Sequence, residues 1–437
     1  MVPSACLPAH GVTPVPHDAD RDVQRLVTDR YRRLMGTAQI LQGVRVVDMT
    51  QYLSGPTVTR LMAEQGADIV KIEQAPHGDP TRTLAMQRDG RSGYFVQQNR
   101  GKRSLCLDFD TVEGRRILDE LIARADVLVQ NYGPGVLEKR GLDWATLSPL
   151  HPRLIMASIS GFGKQGPYSH KTAFDLIAQA YSGLLHLTGP ADGPPMPVGT
   201  SYADVSAGVH ALAGIGLALF HRERTGEGQH IDIAMVDALF HSHELAVQGP
   251  SMSNGRWTAK RSGHRSALTC PAGVYKGPEG WIVLQVMQAQ WAGFCRAMAR
   301  PDLANDERFA GLAGRHRNRD ELNAMIDEWL ATLPSDADAL ARLEAERVPC
   351  APVLAPHEAA GHPYFRARGM VRTVSDPIIG TLEIPGNPLR MSAQPEEPDL
   401  VAPLLGEHNE AVLRELGYDE NRIAALTADG TLRSAPV

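Results

Sequence analysis

A strand, a helix and a second strand follow one another near the start of this 437-residue chain. Residues 43–49 form a short apolar run rich in valine, and residues 68–73 form another. Between them, Val58, Leu61 and Met62 fall on one face of a helix that stops at Gly66. Two strands joined by a helix make a βαβ unit, whose strands lie parallel in one sheet. The pattern therefore predicts an α/β fold.

The same alternation continues along the next part of the chain. Further strands are predicted at residues 104–107, 126–129, 153–159 and 230–234. Residues 39–247 are therefore expected to form one large α/β domain. Residues 1–38 precede it as an N-terminal extension, either disordered or laid over the surface, to which the sequence assigns no function.

The pattern changes after residue 247. Residues 248–272 contain few apolar repeats and are predicted to form a linker. Residues 273–370 combine a strand pair, split by a turn at 276–280, with amphipathic helices, which predicts a smaller α+β domain. Residues 371–437 return to strand-like segments and end in a helix.

Charge and cysteine content exclude several kinds of partner. The net charge of -6 gives no general attraction to nucleic acid or to an anionic membrane. The five cysteines form no C-x-x-C pair, so we expect no disulfide framework and no metal site. The apolar run at 205–220 is too short to span a bilayer and predicts a buried helix. A soluble cytoplasmic protein that binds neither nucleic acid nor membrane is expected.

No common nucleotide-binding motif accompanies the α/β pattern. The glycine pairs at 214/216 and 226/228 each lack a third glycine, and neither opens a helix directly after a strand. A P-loop is absent from the sequence as well. An ordinary nicotinamide or ATP domain is therefore not indicated, although the architecture alone would suggest one.

Asp204 and several short motifs around it carry the most specific information. On its own, Asp204 would be interpreted as a cap for the apolar helix that follows it. The accompanying motifs are Gln130-Asn131-Tyr132-Gly133-Pro134-Gly135, Phe174-Asp175 and the segments 188–195, 225–229 and 403–408. In this order they resemble the family III CoA transferases, the group that includes formyl-CoA:oxalate and carnitine CoA transferases. The resemblance covers about residues 41–418.

The resemblance implies an active site and a coenzyme channel. Asp204 occupies the position of the family's catalytic nucleophile. The implied CoA-contacting residues are Tyr52, Leu53, Ser54, Gln74, Leu107, Asn131, Tyr132 and Lys139. Gln74 stands where some relatives carry an arginine that packs on adenine. Coenzyme A would arrive as an acyl-CoA substrate, and no permanently bound cofactor is implied.

A particular architecture is implied too. The large domain would be Rossmann-like and built from both ends of the chain, 39–247 together with 371–437, with 273–370 as the small domain. Relatives form interlocked homodimers, whose active sites lie between the large and small domains of different chains. The partners implied are an acyl-CoA, a free carboxylic acid and a second copy of the chain.

The chemistry that Asp204 would perform needs no activating base, since an unperturbed aspartate has a pKa of about 3.9. Its carboxylate would attack an acyl-CoA to form an aspartyl-acyl anhydride, and the CoA thiolate would then form an aspartyl thioester. The acceptor, expected to be a short-chain or dicarboxylic acid, would reverse these steps.

Two other functions are compatible with parts of the pattern. Related acyl-CoA racemases and epimerases carry a histidine where this chain has Phe174, and phenylalanine cannot transfer a proton. A catalytically silent CoA-binding subunit would have no need of Asp204. Asp175 is expected to cap the helix that starts at Leu176, or to position the acyl group.

Basic residues cluster at Arg100, Lys102 and Arg103, and again at Lys139 and Arg140. Either cluster would ordinarily be solvated surface charge. The alternative is a seat for the phosphates of CoA, because cationic side chains hold phosphate by charge-assisted hydrogen bonds.

Overall fold

A computed structural model describes residues 39–84, 86–394 and 399–435. The predicted extension over residues 1–38 lies outside them. Thirteen strands occur in the described residues: β1 (Arg45–Met49), β2 (Asp68–Gln74), β3 (Gln87–Arg88), β4 (Arg91–Ser92), β5 (Arg103–Leu107), β6 (Val127–Gln130), β7 (Ile155–Ser160), β8 (His230–Ala234), β9 (Ala272–Lys276), β10 (Trp281–Gln285), β11 (Cys350–Pro352), β12 (Val371–Asp376) and β13 (Gly380–Pro385).

Helices connect and cover these strands. The α-helices are α1 (Ser54–Glu64), α2 (Gly93–Asn99), α3 (Val112–Arg124), α4 (Trp144–Leu147), α5 (Asp175–Tyr181), α6 (Leu184–Leu187), α7 (Tyr202–Thr225), α8 (Met235–Phe240), α9 (Gln248–Met252), α10 (Trp291–Ala297), α11 (Leu312–Arg317), α12 (Arg319–Ala331), α13 (Asp336–Ala345), α14 (Pro356–Gly361), α15 (Pro363–Ala367), α16 (Asn409–Leu416) and α17 (Glu420–Ala428). Short 3-10 helices lie at Pro80–Thr83, Glu138–Arg140, Gln288–Gln290 and Pro301–Ala304.

Six parallel strands form the main sheet, in the order β5-β2-β1-β6-β7-β8. Counted along the chain among these six alone, the order is that of the Rossmann fold. This confirms the predicted α/β class and its parallel sheet. In β1, Val46, Val47 and Met49 are all buried, because helices cover both faces of the sheet.

Each face of the main sheet has its own apolar layer. On one face, Ile117 and Leu121 of α3 pack together with Val412 of α16 and Leu426 of α17. On the other, α1, α7 and α8 contribute small and medium side chains such as Val58, Ala207 and Ala238. The sheet with its two helical layers forms a rigid platform for residues at the strand ends.

The C-terminal segment returns to the edge strand β5. The His408 N–H donates to the Ser104 carbonyl (3.0 Å), and Asn409 Oδ1 accepts from the Cys106 N–H (2.9 Å). The antiparallel hairpin β12–β13 packs on α2, through Val374 and Ile384 against Phe95. Residues from both ends of the chain are therefore joined at this edge. Helix α17 had not been predicted from the sequence.

A second sheet lies within residues 272–352. Strands β11, β10 and β9 pair antiparallel, and the turn at 276–280 links the last two. Tyr275, Phe294, Ile326 and Leu343 are buried together between this sheet and helices α10, α12 and α13. This segment thus has an apolar core of its own.

Helix α7 differs from the buried helix that the sequence predicts. It extends over Tyr202–Thr225, longer than the apolar run at 205–220. Val209, Leu217 and Phe220 are exposed on the single chain, by 48%, 72% and 62%. The helix is long and apolar enough to cross a membrane by length and composition, but a core helix of a soluble protein passes the same test. One face of α7 is therefore buried and the other is apolar and open.

Candidate active site

The main sheet has a topological switch point between β1 and β6. From β1 the chain builds outward to β2 and β5 on one side, and later through β6, β7 and β8 on the other. In such sheets ligands bind in the crevice beyond the carboxyl ends of the strands on either side of this point. Here the loop that follows β1 leads into Ser54, and Asn131 directly follows β6.

A cavity of about 720 Å³ occupies this crevice. Asp204 lies in its wall together with five of the predicted CoA-contacting residues. The lining residues are Gln51, Tyr52, Leu53, Ser54, Tyr94, Asn131, Tyr132, Gly133, Pro134, Ile159, Ser160, Gly161, Lys171, Thr172, Ala173, Phe174, Asp175, Leu176, Ser201, Asp204 and Met235.

Asp204 is the third residue of α7 and so belongs to its first turn, whereas the sequence suggested a position just before the helix. The helix begins at Tyr202, and Ser201 makes no side-chain cap. Small residues let α7 approach α1 closely. A Cβ added at Gly208 would lie only 2.7 Å from the Ser54 carbonyl oxygen. Gly208 is therefore required for the spacing of the two helices beside Asp204.

Asp175 caps α7 and not its own helix, which corrects the sequence-based expectation. Its Oδ1 accepts from the backbone N–H of Ala203 (2.6 Å) and, more weakly, of Asp204 (3.3 Å). Its Oδ2 accepts from Nε2 of Gln179 (2.6 Å). A carboxylate at a helix N-terminus satisfies backbone donors that would otherwise lack partners. Asp175 therefore fixes the turn that carries Asp204.

Asp204 is more basic than an ordinary aspartate. Burial, and then the nearby charge of Asp175, raise its pKa to about 6, while a hydrogen bond with Ser54 opposes the increase. The sequence-based assumption of an unperturbed pKa is therefore wrong. A carboxyl group with a pKa of about 6 is still mostly ionised at pH 7, so it can act as a nucleophile without a base.

A pH dependence of activity follows from this raised pKa. Because only the ionised carboxylate can attack, we expect kcat/KM to be lost as the pH falls through about 6. Below that midpoint the loss should approach roughly tenfold for each pH unit. Rate measurements between pH 4.5 and 8 test this. A profile that stays flat down to pH 5 would contradict the assignment of Asp204 as the reacting group.

The loop after β1 and the residue after β6 hold each other in the cavity wall. Asn131 Oδ1 accepts from the Gln51 N–H (2.8 Å), and its Nδ2 donates to the Gln51 carbonyl (2.7 Å). Tyr52 adopts a positive φ of 63°, and its ring meets Phe174 edge-on at 5.9 Å. The predicted residues Tyr52 and Asn131 are therefore brought together with Asp204.

Three predicted CoA-contacting residues lie outside the cavity wall. Gln74 is the last residue of β2, and its Nε2 donates to Asp108 Oδ1 (2.9 Å). The Leu107 side chain is fully buried in the core, at the end of β5. Lys139 is exposed on the 3-10 helix Glu138–Arg140. All three belong to the carboxyl-end side of the sheet, and their contact with CoA stays a prediction.

In the basic cluster at residues 100–103, Arg100 and Lys102 are buried and so are neither solvated surface nor a phosphate seat, while Arg103 is partly exposed. Lys102 is buried and pairs with Asp48 (2.9 Å), and Arg100 is buried in an ion pair with Glu64. Arg103 bridges Asp68 and Glu415. All three cationic side chains are therefore paired with carboxylates of the same chain.

Tyr94 and Lys171 are two ionisable residues of the cavity wall that had not been identified from the sequence. Tyr94 lies in the wall, and burial together with the charge of Asp204 raises the pKa of its phenol to about 12. Lys171 donates from Nζ to the Tyr181 hydroxyl (2.9 Å) and lies over the Tyr168 ring. No local motif marks either residue, because each reaches the cavity only through long-range packing.

The fold and the site together define an α/β protein with a largely buried carboxylate, Asp204, in a cavity at the switch point of its main sheet. Residues 41–409 match the model of CoA-transferase family III, and the chain belongs to that family. Its similarity to curated relatives shows an acyl-CoA:carboxylate CoA transferase.

Two such relatives are both named formyl-CoA:oxalate CoA-transferase. The Streptomyces coelicolor protein is 38% identical, over 91% of this chain and 100% of its own length. The Escherichia coli O157:H7 protein is 34% identical, over 88% of this chain and 98% of its own length.

Solved structures show the same similarity. A CAIB/BAIF family protein from Brucella suis superposes with a TM-score of 0.75 at 34% identity, covering 87% of this chain and 100% of that one. A hypothetical protein from Mycobacterium tuberculosis also reaches a TM-score of 0.75, at 26% identity, covering 86% of this chain and 99% of that one.

Proposed function

We propose that Asp204 is the nucleophile of this CoA transferase and carries first the acyl group and then CoA. The observation that supports this most is its position: an anionic carboxylate in a cavity at the switch point of the sheet. Asp175 fixes the helical turn that carries this carboxylate, through its hydrogen bonds from the backbone N–H groups of Ala203 and Asp204.

The reaction proceeds in four exchanges. The Asp204 carboxylate attacks the thioester carbonyl, and CoA leaves as a thiolate while an aspartyl-acyl anhydride forms. The thiolate then attacks the aspartyl carbonyl, which releases the donor acid and leaves an aspartyl-CoA thioester. The acceptor carboxylate attacks this thioester and releases the thiolate, which finally attacks the acceptor's own carbonyl. The acceptor leaves as its CoA thioester, and Asp204 is regenerated as a carboxylate.

The acids exchanged are, in this proposal, short-chain or dicarboxylic. The curated relatives are named for formyl-CoA and oxalate, a small acyl group and a small diacid. In the cavity wall, Lys171 offers a cation for a second carboxylate. Phe174, by contrast, has no proton to exchange, so the wall lacks at this position the base that a racemase would need.

We further propose that the enzyme works in the cytoplasm as an interlocked homodimer. The exposed apolar face of α7, with Val209, Leu217 and Phe220, is the surface that a second copy would cover. Sedimentation should therefore show a dimer, and Leu217→Lys should weaken it. Interlocked chains separate only by unfolding, so differently tagged native dimers should not exchange subunits on mixing. A monomer at micromolar concentration would contradict the proposal.

The covalent step is tested by trapping. The enzyme is incubated with a panel of acyl-CoAs, treated with hydroxylamine or borohydride, and the peptide that contains Asp204 is analysed by mass spectrometry. Modification that depends on one acyl-CoA supports the mechanism and identifies the donor. If CoA binds but no donor modifies Asp204, the proposed intermediates are wrong.

A further inference from the structure

Lys71 is a charged residue in the interior of the large domain, next to the cavity but not part of its lining. It belongs to β2, and its Cα partner in β1 is Asp48. The side chain is fully buried, and its Nζ lies 2.9 Å from Oδ2 of Asp79, which is buried as well. Burying an ammonium group is costly unless the group is paired. Asp79 therefore allows Lys71 to stay charged in the interior.

The ammonium of Lys71 also holds the chain just beyond β1. Its Nζ donates to the carbonyl oxygen of Thr50 (2.7 Å). The N–H and the hydroxyl of Thr50 both donate to Oδ1 of Asp48, at 2.9 and 2.5 Å. Thr50 is therefore fixed at its amide, its side chain and its carbonyl.

The loop that starts at Thr50 forms part of the cavity wall. Residues 50–53 connect β1 to α1 and are here called the β1–α1 loop; residues 51–53 line the cavity. Within the loop, the positive φ of Tyr52 is unfavourable for a residue that has a Cβ. Such a conformation persists only where the surrounding structure holds it. The hydrogen bonds at Thr50, with those between Asn131 and Gln51, hold it here.

We infer that Lys71 is a positioning residue: its ammonium, held by Asp79, fixes the Thr50 carbonyl and so keeps the β1–α1 loop in the conformation that places Tyr52 in the cavity wall. The inference rests on the proposed assignment of this cavity as the active site. A buried ion pair contributes little net stability, because the loss of hydration offsets the attraction. The contact with the loop gives this pair a role in CoA transfer.

The experiment removes both charges together, in a Lys71→Met, Asp79→Asn double variant, so that neither partner is left buried and unpaired. Asparagine can still accept from the Thr81 N–H, as Asp79 does. Without the donor to Thr50, the amides of the β1–α1 loop should exchange with deuterium roughly fivefold faster or more. Because the wall is displaced, kcat/KM for CoA transfer should fall by about tenfold or more. Mass spectrometry of the loop peptide and rate measurements give the two values.

A matched control removes an ion pair at the opposite end of the sheet. Arg222, near the end of α7, is buried and pairs with Asp126 (3.1 Å), which directly precedes β6. The Arg222→Met, Asp126→Asn variant makes the same chemical change away from the cavity. Its melting temperature should fall, while loop exchange and kcat/KM stay at the wild-type values.

A double-mutant cycle tests whether Lys71 acts through Tyr52. Tyr52→Ala should lower kcat/KM, and combining it with the double variant should add little, since both changes remove the same ring from its place in the wall. Losses that add in full would mean that Lys71 does not act through the loop. If the double variant does not fold, Lys71→Gln takes its place in every comparison. Its amide is one bond shorter than the lysine side chain, so the same changes are expected on a smaller scale.

The outcomes separate this inference from the proposed function. If loop exchange and kcat/KM are unchanged in the folded double variant, the role of Lys71 is wrong, whether or not an acyl-CoA modifies wild-type Asp204. Faster loop exchange with unchanged transfer also overturns the inference. If both change but no acyl-CoA modifies Asp204, Lys71 has its role and the nucleophile assignment fails. Both changes together with non-additive losses support the inference.

Discussion

Asp204→Asn should reduce CoA transfer by at least about a thousandfold, the scale seen when a covalent nucleophile is removed. Asparagine has almost the same shape but no anionic oxygen, so neither the anhydride nor the thioester can form. Transfer is measured by following the acceptor's CoA thioester by chromatography. As a control, Asp320→Asn changes an exposed aspartate in the first turn of α12, away from the cavity, and should leave the rate unchanged.

The same substitution should make the protein more stable at neutral pH. The pKa of Asp204 is about 6 in the folded protein and 3.8 without its environment, so the folded state binds this proton more tightly. The contribution of Asp204 to the free energy of unfolding is therefore fully present below about pH 3.8 and is lost as the pH rises through 6. At pH 7.5 Asp204→Asn should gain about 1 kcal/mol of unfolding free energy, less than the full shift because the side chain keeps some solvent contact. Equal free energies of unfolding for both proteins in denaturant titrations would show that ionised Asp204 does not destabilise the folded state.

Removing the Asp175 carboxylate should have the next largest effect. Asp175→Ala leaves the Ala203 and Asp204 N–H groups without their acceptor and should cost about 1 to 2 kcal/mol of stability. Because the turn that carries Asp204 loosens, transfer should also fall by about tenfold or more. Thermal unfolding and kcat together measure the two losses.

Asp175→Asn separates the cap of α7 from the charge. The asparagine oxygen can still accept from Ala203, but the negative charge that raises the pKa of Asp204 is gone. The acid limb of the rate profile should therefore move below pH 6, while most of the stability is retained. The lost hydrogen bond from Gln179 cannot be recovered by turning its amide, since its oxygen accepts from the Val198 N–H. An acid limb that does not move in Asp175→Asn would mean that burial alone raises the pKa.

The sheet could be predicted because its strands are short apolar runs separated by amphipathic helices. Such runs are buried whichever strands lie beside them, as in the pairs Val46–Val47 and Ile69–Val70, so the local pattern is enough to predict the strands. Whether a charged residue is buried or exposed could not be predicted in this way. Lys102 is buried because Asp48, on a strand far away in sequence, lies 2.9 Å from it. Such a pairing exists only once the strands are placed side by side.

The site was predictable to the same extent. Tyr52, Ser54, Asn131 and Asp204 were assigned from the resemblance of short motifs to a known family, and the structure brings all four into the wall of one cavity. The cap from Asp175 to α7 joins two helices across a loop, and helix-capping rules, which apply to neighbours in sequence, assigned it to the wrong helix. Tyr94 and Lys171 carry no local signal at all.

Gly208 has a consequence for anyone who wishes to redesign this enzyme. A Cβ at this position would lie 2.7 Å from the Ser54 carbonyl oxygen, so even alanine would push the two helices apart and move Asp204. The contact between α1 and α7 beside Asp204 therefore tolerates no larger side chain at position 208. New acceptor acids are better sought by varying other residues of the cavity wall, such as Lys171, Thr172 and Pro134, where a library can change the shape of the cavity without separating α1 from α7.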